Sequence, residues 1–250
     1  MGQVRQPAVA GTFYPDDPAE LRAVVSELLE RARPGAPAKA VVAPHAGYIY
    51  SGPVAASAFR CLPARARRVV LLGPSHFAPL RGLAAPRAEA FETPLGRVAI
   101  EVPDGVARSD VPHAREHSLE VEVPFLQVAL PDFTLVPLVV GSARPAEIAD
   151  VLARVWGGPE TAIVCSTDLS HYLSYGDACR TDEDTARRVE QLVPVAAEAA
   201  CGAAPLNGLL FEAARRALRC ERVDLRNSGD TAGDRRRVVG YGAFAIREAA

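Results

Sequence analysis

Four short apolar runs constrain the fold of this chain more than any other feature. They occupy residues 40–43, 69–72, 135–140 and 162–165, and they are continuous rather than alternating with polar residues. A strand with one solvated face alternates, whereas a strand covered on both faces is apolar throughout. The runs therefore predict the central strands of a sheet that is buried on both sides.

Helical patterns lie between these runs. Asp16 or Asp17 can cap a first helix, and Thr181 with Asp184 forms a capping-box pattern at the start of another. Further helical patterns are SGPVAASAFRCL (51–62), RPAEIADVLARVW (144–156) and the apolar stripe from Leu206 to Ala217. The run RRVVGYGAFAIRE (236–248) predicts a closing strand. Alternating strands and helices predict an α/β three-layer sandwich, with a mostly parallel central sheet and helices on both faces, in one domain over residues 1–250.

Composition narrows the classes of function. The formal net charge is −2, so no overall positive field favours nucleic acid or an anionic membrane. No apolar run reaches the roughly 18 residues of a membrane span. The five cysteines are odd in number, contain no C-x-x-C pair and single out no member as a metal ligand. These features predict a reduced, cytoplasmic protein without disulfide bonds.

Histidines follow three of the predicted strands. His45, His76 and His171 each come shortly after an apolar run, and Asp168 lies beside the last of them. The carboxyl ends of parallel strands border the crevice where α/β proteins bind ligands. Two imidazoles and one carboxylate form a ligand set that suits ferrous iron with open coordination positions. A remaining histidine can act as an acid or base near neutral pH.

The other polar candidates each have a structural alternative. Asp230, in the turn-rich segment 227–234, can supply the missing carboxylate or form an Asx-type turn. Asp168 can face the pocket with His171 or cap the segment that follows. His117 lies between acidic residues in EHSLEVEVPFL (116–126), whose pattern fits either a helix or a strand. His113 has no pattern around it and is expected in a surface loop.

Seven motifs occur in order along nearly the whole chain: RQPAVAGTFYP, APHAGYIYSG, GPSHF, TPLG, EHSLEVEVPFL, STDLSHY and NSGDT followed by VVGYGAFAI. Together they resemble the MEMO family, whose prokaryotic members are called AmmeMemoRadiSam system protein B. This resemblance implies the fold of the class III extradiol ring-cleaving dioxygenases.

The resemblance also implies roles for individual residues. His45 and His76 match the metal-binding histidines, while Asp168 and His171 match residues of the same pocket, with His171 in the position of an acid/base histidine. Pocket residues His117 and Glu120 match a further motif. Where the eukaryotic branch has a metal-binding cysteine, this chain has Thr231, whose hydroxyl is a far weaker ligand. The candidate metal ligands are therefore His45, His76 and Asp230, with Asp168 as the alternative to Asp230 in place of the cysteine.

Two classes of function fit these residues. One is a metal-dependent, dioxygenase-like redox enzyme that uses iron, with copper, zinc or no metal as alternatives, and with His171 and Asp168 as its catalytic residues. The other is a non-catalytic module that binds an anionic group of a peptide or small molecule. The resemblance implies AMMECR1-domain and radical SAM proteins as partners. Zinc-assisted hydrolysis is a third hypothesis and ranks last.

Overall fold

The computed structural model describes residues 3–248. These residues form one larger and one smaller β-sheet, with helices between the strands. The strands are β1 (Val4–Arg5), β2 (Ala40–Ala43), β3 (Arg68–Pro74), β4 (Leu83–Ala85), β5 (Ala90–Thr93), β6 (Gly96–Ala99), β7 (Ala107–Arg108), β8 (Thr134–Val140), β9 (Thr161–Ser166), β10 (His171–Leu173), β11 (Leu218–Asn227) and β12 (Val238–Glu248). The helices are α1 (Pro18–Arg31), α2 (Tyr48–Phe59), α3 (His117–Glu120), α4 (Val123–Ala129), α5 (Pro145–Val155), α6 (Tyr175–Glu190), α7 (Ala203–Arg215) and α8 (Ser228–Thr231). The four apolar runs and the closing run are strands, as predicted.

The larger sheet has the order β10-β12-β2-β9-β3-β8-β4-β7, and β11 pairs with β12. Its four central strands, β2, β9, β3 and β8, are parallel. Towards the edges, β12 pairs antiparallel with β2, β10 and β11, and β4 pairs antiparallel with β8. The sheet is therefore mixed, and the mostly parallel arrangement holds for its centre. Beside it, β1, β5 and β6 form a small three-stranded sheet.

Both faces of the central strands are buried, which explains their continuous apolar sequences. Along β3, Val69 and Leu71 belong to one core with α1, α2 and α4, whereas Val70 and Leu72 belong to a second core with α5, α6 and α7. Successive side chains of a strand point to opposite faces. Each central strand therefore contributes to both cores, and helices cover the sheet on both sides.

The helix starts confirm one expectation and correct another. Asp17 caps α1, where its side chain accepts hydrogen bonds from the backbone N–H groups of Ala19 and Glu20. The predicted start at Thr181 is wrong, because α6 begins at Tyr175 and is capped by Ser174. The ambiguous segment 116–126 forms α3 and the start of α4. Within residues 3–248, no helix combines the length and apolar character that a membrane crossing requires.

Candidate metal centre

The two predicted histidine ligands lie at the same edge of the sheet. His45 follows the end of β2 by two residues and His76 follows the end of β3 by two residues, with β9 between these strands. Because the three strands are parallel, their carboxyl ends meet at one edge. The imidazole ring centroids are 5.3 Å apart. The histidines therefore share one site, as the sequence predicts.

Local contacts fix the ring of His45. Its Nδ1 lies 2.7 Å from the hydroxyl of Ser166, and its backbone N–H donates to the carboxylate of Asp168 at 2.9 Å. The side chain is buried, and this burial, with the neighbouring His76, lowers its pKa to about 3. His45 is therefore neutral at physiological pH, which is the form in which imidazole binds metals.

A buried carboxylate fixes His76. Glu116 accepts from the backbone N–H of His76 at 2.6 Å and contacts its Nδ1 at 2.8 Å, and it also accepts from the backbone N–H of Ser118 at 3.0 Å. Burial alone would raise the pKa of Glu116, but the hydrogen bonds from His76 outweigh it and lower that pKa to about 2. Such a carboxylate orients a histidine and increases its basicity as a metal ligand. The remaining nitrogen of His76, Nε2, is the one left for a metal.

A cysteine lies beside the two histidines and can offer a third donor atom. The thiol sulfur of Cys201 lies 3.3 Å from Nε2 of His45. One ligand atom from each of His45, His76 and Cys201 lies within 4.8 Å of the others, which is close enough to share an ion. Cys201 is held in place by Asp168, whose carbonyl accepts from the Cys201 backbone N–H at 3.2 Å and whose own N–H donates to the sulfur at 3.3 Å. Burial raises the pKa of the Cys201 thiol to about 12.

The loop expected to complete the site is used locally instead. The carboxylate of Asp230 accepts from the Tyr175 hydroxyl at 2.7 Å and from the backbone N–H of Asn227 at 3.1 Å. Thr231 donates its hydroxyl proton to the carbonyl of Ser228 at 3.3 Å within α8. Among residues 3–248, the groups of donors close enough to share an ion do not include Asp230. The geometry favours Cys201 over Asp230 as the third ligand.

The two predicted catalytic residues, Asp168 and His171, lie in different environments. Asp168 is buried, and burial raises its pKa to about 6 while the backbone N–H of His45 opposes this rise. His171 is more exposed, and its Nδ1 donates to the carbonyl of Leu169 at 2.8 Å. A carbonyl can only accept, so Nδ1 of His171 carries a proton. The Leu169 carbonyl therefore fixes the orientation of the His171 ring.

The ring of His117 lies beside the rings of His45 and His76, whereas the carboxylate of Glu120 binds residues of the amino-terminal segment. The His117 ring lies 4.8 Å from that of His76 and 5.4 Å from that of His45, and His76, Glu116 and His117 form a second group of neighbouring donors. Glu120 forms a buried ion pair with Arg5 and also accepts from the Tyr14 hydroxyl at 2.6 Å.

The expectation for His113 is wrong. It is buried rather than in a surface loop, and its Nε2 lies 2.9 Å from the carbonyl of Ala84. The reason is the same amino-terminal segment, because the Arg5 guanidinium donates to the carbonyls of His113 and Glu116 and covers this loop.

Comparison with known proteins agrees with the sequence motifs. The sequence profile of the family described as Memo-like protein matches residues 5–245. The chain belongs to this family. MEMO1 family proteins of Aeropyrum pernix (36% identity), Aquifex aeolicus (35%) and Methanosarcina barkeri (34%) align with 98%, 96% and 97% of the chain and with 100%, 97% and 100% of their own lengths. Their names state the family and no activity.

In this member of the Memo-like family, Cys201 and Glu116 are the site residues that sequence reasoning does not identify. Cys201 is 156 positions away from His45 in the chain and comes from the loop before α7, so no local spacing connects them. Glu116 stands one residue before His117, and the sequence gives no sign that it binds His76 instead. Both contacts arise only when the loops fold over the sheet edge.

Proposed function

We propose that this protein is an iron-dependent redox enzyme of the dioxygenase-like type, in which His45, His76 and Cys201 hold the metal. The observation that carries the proposal is the convergence of three donor atoms from three separate segments within 4.8 Å of one another. Membership of the Memo-like family supports a shared site but states no activity.

The donor set fits a redox metal. Imidazole suits iron, copper and zinc, and a thiolate adds preference for softer ions such as cuprous copper and zinc. The Nδ1 atoms of His45 and His76 are both engaged by protein groups, which leaves their Nε2 atoms as ligands. Three protein ligands leave further coordination positions open, as catalytic metal sites require. A bound iron ion would supply redox chemistry and a positively charged centre that polarises a substrate.

The surrounding residues have distinct tasks in this proposal. Asp168 positions two ligands at once, through the backbone N–H of His45 and the backbone and sulfur of Cys201. His171 is held through its Nδ1, so its Nε2 is the nitrogen that can exchange a proton with a substrate that enters the pocket. His117 lines the pocket beside both metal-binding histidines.

The alternative of an anion-binding module is not favoured by the electrostatics. Binding an anionic group through imidazoles is strongest when the rings are protonated. Burial lowers the pKa of His45 to about 3 and that of His117 to about 4, so both are neutral near pH 7. Neutral imidazoles are poor anion receptors but good metal ligands.

Metal analysis after anaerobic purification tests the proposal. We expect about one equivalent of iron or another redox metal per chain in the wild-type protein, and strongly reduced metal in His45→Ala and His76→Ala. Anaerobic titration with ferrous iron, cuprous copper and zinc then ranks the ions. Failure of all three ions to bind the folded wild-type protein would overturn the proposal.

A further inference from the structure

The hydroxyl of Ser166 lies at the centre of a buried hydrogen-bond group behind the metal site. Its oxygen is 2.7 Å from Nδ1 of His45, 2.6 Å from the carbonyl oxygen of Ser118 and 2.8 Å from Oε1 of Glu122. Ser166 and Glu122 are fully buried. Water therefore does not compete for these contacts, and the three distances can be interpreted as one set of hydrogen bonds.

Counting protons determines the direction of each bond. A serine hydroxyl has one proton to donate and two lone pairs that accept. The carbonyl of Ser118 can only accept, and two oxygens at 2.6 Å repel each other unless a proton lies between them. The single proton of Ser166 is therefore directed to Ser118, and the other two partners must both donate to Ser166.

This arrangement requires a specific state of both donors. His45 donates from Nδ1, so its proton is on Nδ1 and its Nε2 bears the lone pair. Glu122 donates from Oε1, so it is a neutral carboxylic acid. The environment of Glu122 agrees, because its Oε2 has no hydrogen-bond partner among the described residues. An ionised carboxylate buried with so few donors is strongly disfavoured, and burial raises the pKa of Glu122 well above its ordinary value.

We propose that Ser166 and a protonated Glu122 are positioning residues that fix His45 in the Nδ1–H tautomer and so present its Nε2 to the metal. The inference rests on the proposed function and deepens it, since the fixed Nε2 lies 3.3 Å from the sulfur of Cys201. Because Glu122 is neutral, it completes the bonding of Ser166 without adding a negative charge behind the site. Of His45, Ser166, Glu122 and Cys201, only Cys201 then supplies a negative charge, as the thiolate that it forms when a metal binds.

Two spectroscopic measurements on metal-free protein test the protonation states directly. Nitrogen NMR of histidine-labelled protein should show His45 protonated at Nδ1 and unprotonated at Nε2. Infrared spectroscopy should show the carbonyl stretch of a buried protonated carboxylic acid, which Glu122→Gln removes. A proton on Nε2 of His45, or the lack of any band that Glu122→Gln removes, overturns the inference. Neither measurement needs a bound metal, so each remains decisive if the proposed function fails.

Zinc affinity tests the consequence for the site, with the metal ion alone as the probe. Glutamine can donate its amide proton to Ser166 as the neutral acid does, so Glu122→Gln should bind zinc within about two-fold of wild type and keep the His45 tautomer. Ser166→Ala removes the acceptor for Nδ1–H and should lose about ten-fold in affinity, with a mixed His45 tautomer. Ser57→Ala serves as a control, because this buried serine contacts Pro53 and Asp224 instead. A ten-fold loss in Glu122→Gln would show an ionised carboxylate, and wild-type behaviour of Ser166→Ala would show that the hydroxyl fixes nothing.

Discussion

At the scale of single residues, the sulfur of Cys201 is what distinguishes the proposed three-ligand metal site from a pair of neighbouring histidines. Two imidazoles without a third ligand bind divalent metals weakly, whereas a thiolate adds a charged, polarisable donor. His45 and His76 could be predicted from sequence, because each follows an apolar strand directly. Cys201 could not, because it stands in a loop before a helix and no spacing links it to either histidine.

Replacing Cys201 with Ser should therefore weaken the binding of ferrous iron, cuprous copper and zinc by about ten-fold or more, since about 1.4 kcal/mol suffices for that factor. The matched control is Cys179→Ser, because Cys179 is an exposed free cysteine. Anaerobic calorimetric titration measures both variants. Equal losses in the two variants, or no loss in Cys201→Ser, would exclude the sulfur as a ligand.

Metal affinity should also rise with pH through the same residue. The pKa of the Cys201 thiol is about 12 in the metal-free site, so the thiol is protonated near neutral pH and must lose its proton to bind a metal. Release of one proton makes the affinity increase by about ten-fold per pH unit below that pKa. Zinc titrations at several pH values should show a slope in wild type that exceeds the slope in Cys201→Ser by one proton. Equal slopes would mean that no thiol proton is released.

At the scale of elements, the amino-terminal segment packs against the loop that carries the pocket. Arg5, in β1, pairs with Glu120 at the end of α3, and Phe13 lies 4.9 Å from the His117 ring at the start of α3. The sequence predicts the central strands within a residue or two, because burial on both faces leaves a continuous apolar signature. It does not predict strand direction at the sheet edges or this docking of β1, because both depend on distant contacts.

Arg5→Met should destabilise the fold by about 3–5 kcal/mol, because it leaves the carboxylate of Glu120 buried without its cation. Arg31→Ala is the control, since Arg31 forms an exposed ion pair with Glu27 on α1 and such pairs contribute little. Urea unfolding measures the free energy of unfolding for both variants. A loss in Arg5→Met no larger than that in Arg31→Ala would show that the buried pair does not secure the segment.

At the scale of the whole molecule, the central sheet joins the two cores, because each of its strands contributes side chains to both. This arrangement supports the proposal that the chain folds as one domain. The family profile matches residues 5–245, which is nearly the same extent. Because both cores contain side chains of the same sheet, the unfolding of one core should be coupled to that of the other. We therefore do not expect the two cores to unfold in separate transitions.

We therefore expect one cooperative thermal transition in calorimetry, and a higher transition temperature with metal. Zinc at 100 times its Kd should stabilise the folded state by about 2.7 kcal/mol, because it binds the folded chain selectively. The same zinc should leave the transition of His45→Ala unchanged. Two separate transitions in wild type would contradict the single domain, and equal shifts in both proteins would place the metal elsewhere.

X-ray absorption spectroscopy of the iron-loaded protein tests the central claim most directly, because it counts the atoms bound to the metal by element. We expect two imidazole nitrogens and one sulfur in the first coordination shell, with the sulfur scatterer absent in Cys201→Ser and retained in Cys179→Ser. A wild-type spectrum that contains only nitrogen and oxygen neighbours would contradict a site formed by His45, His76 and Cys201.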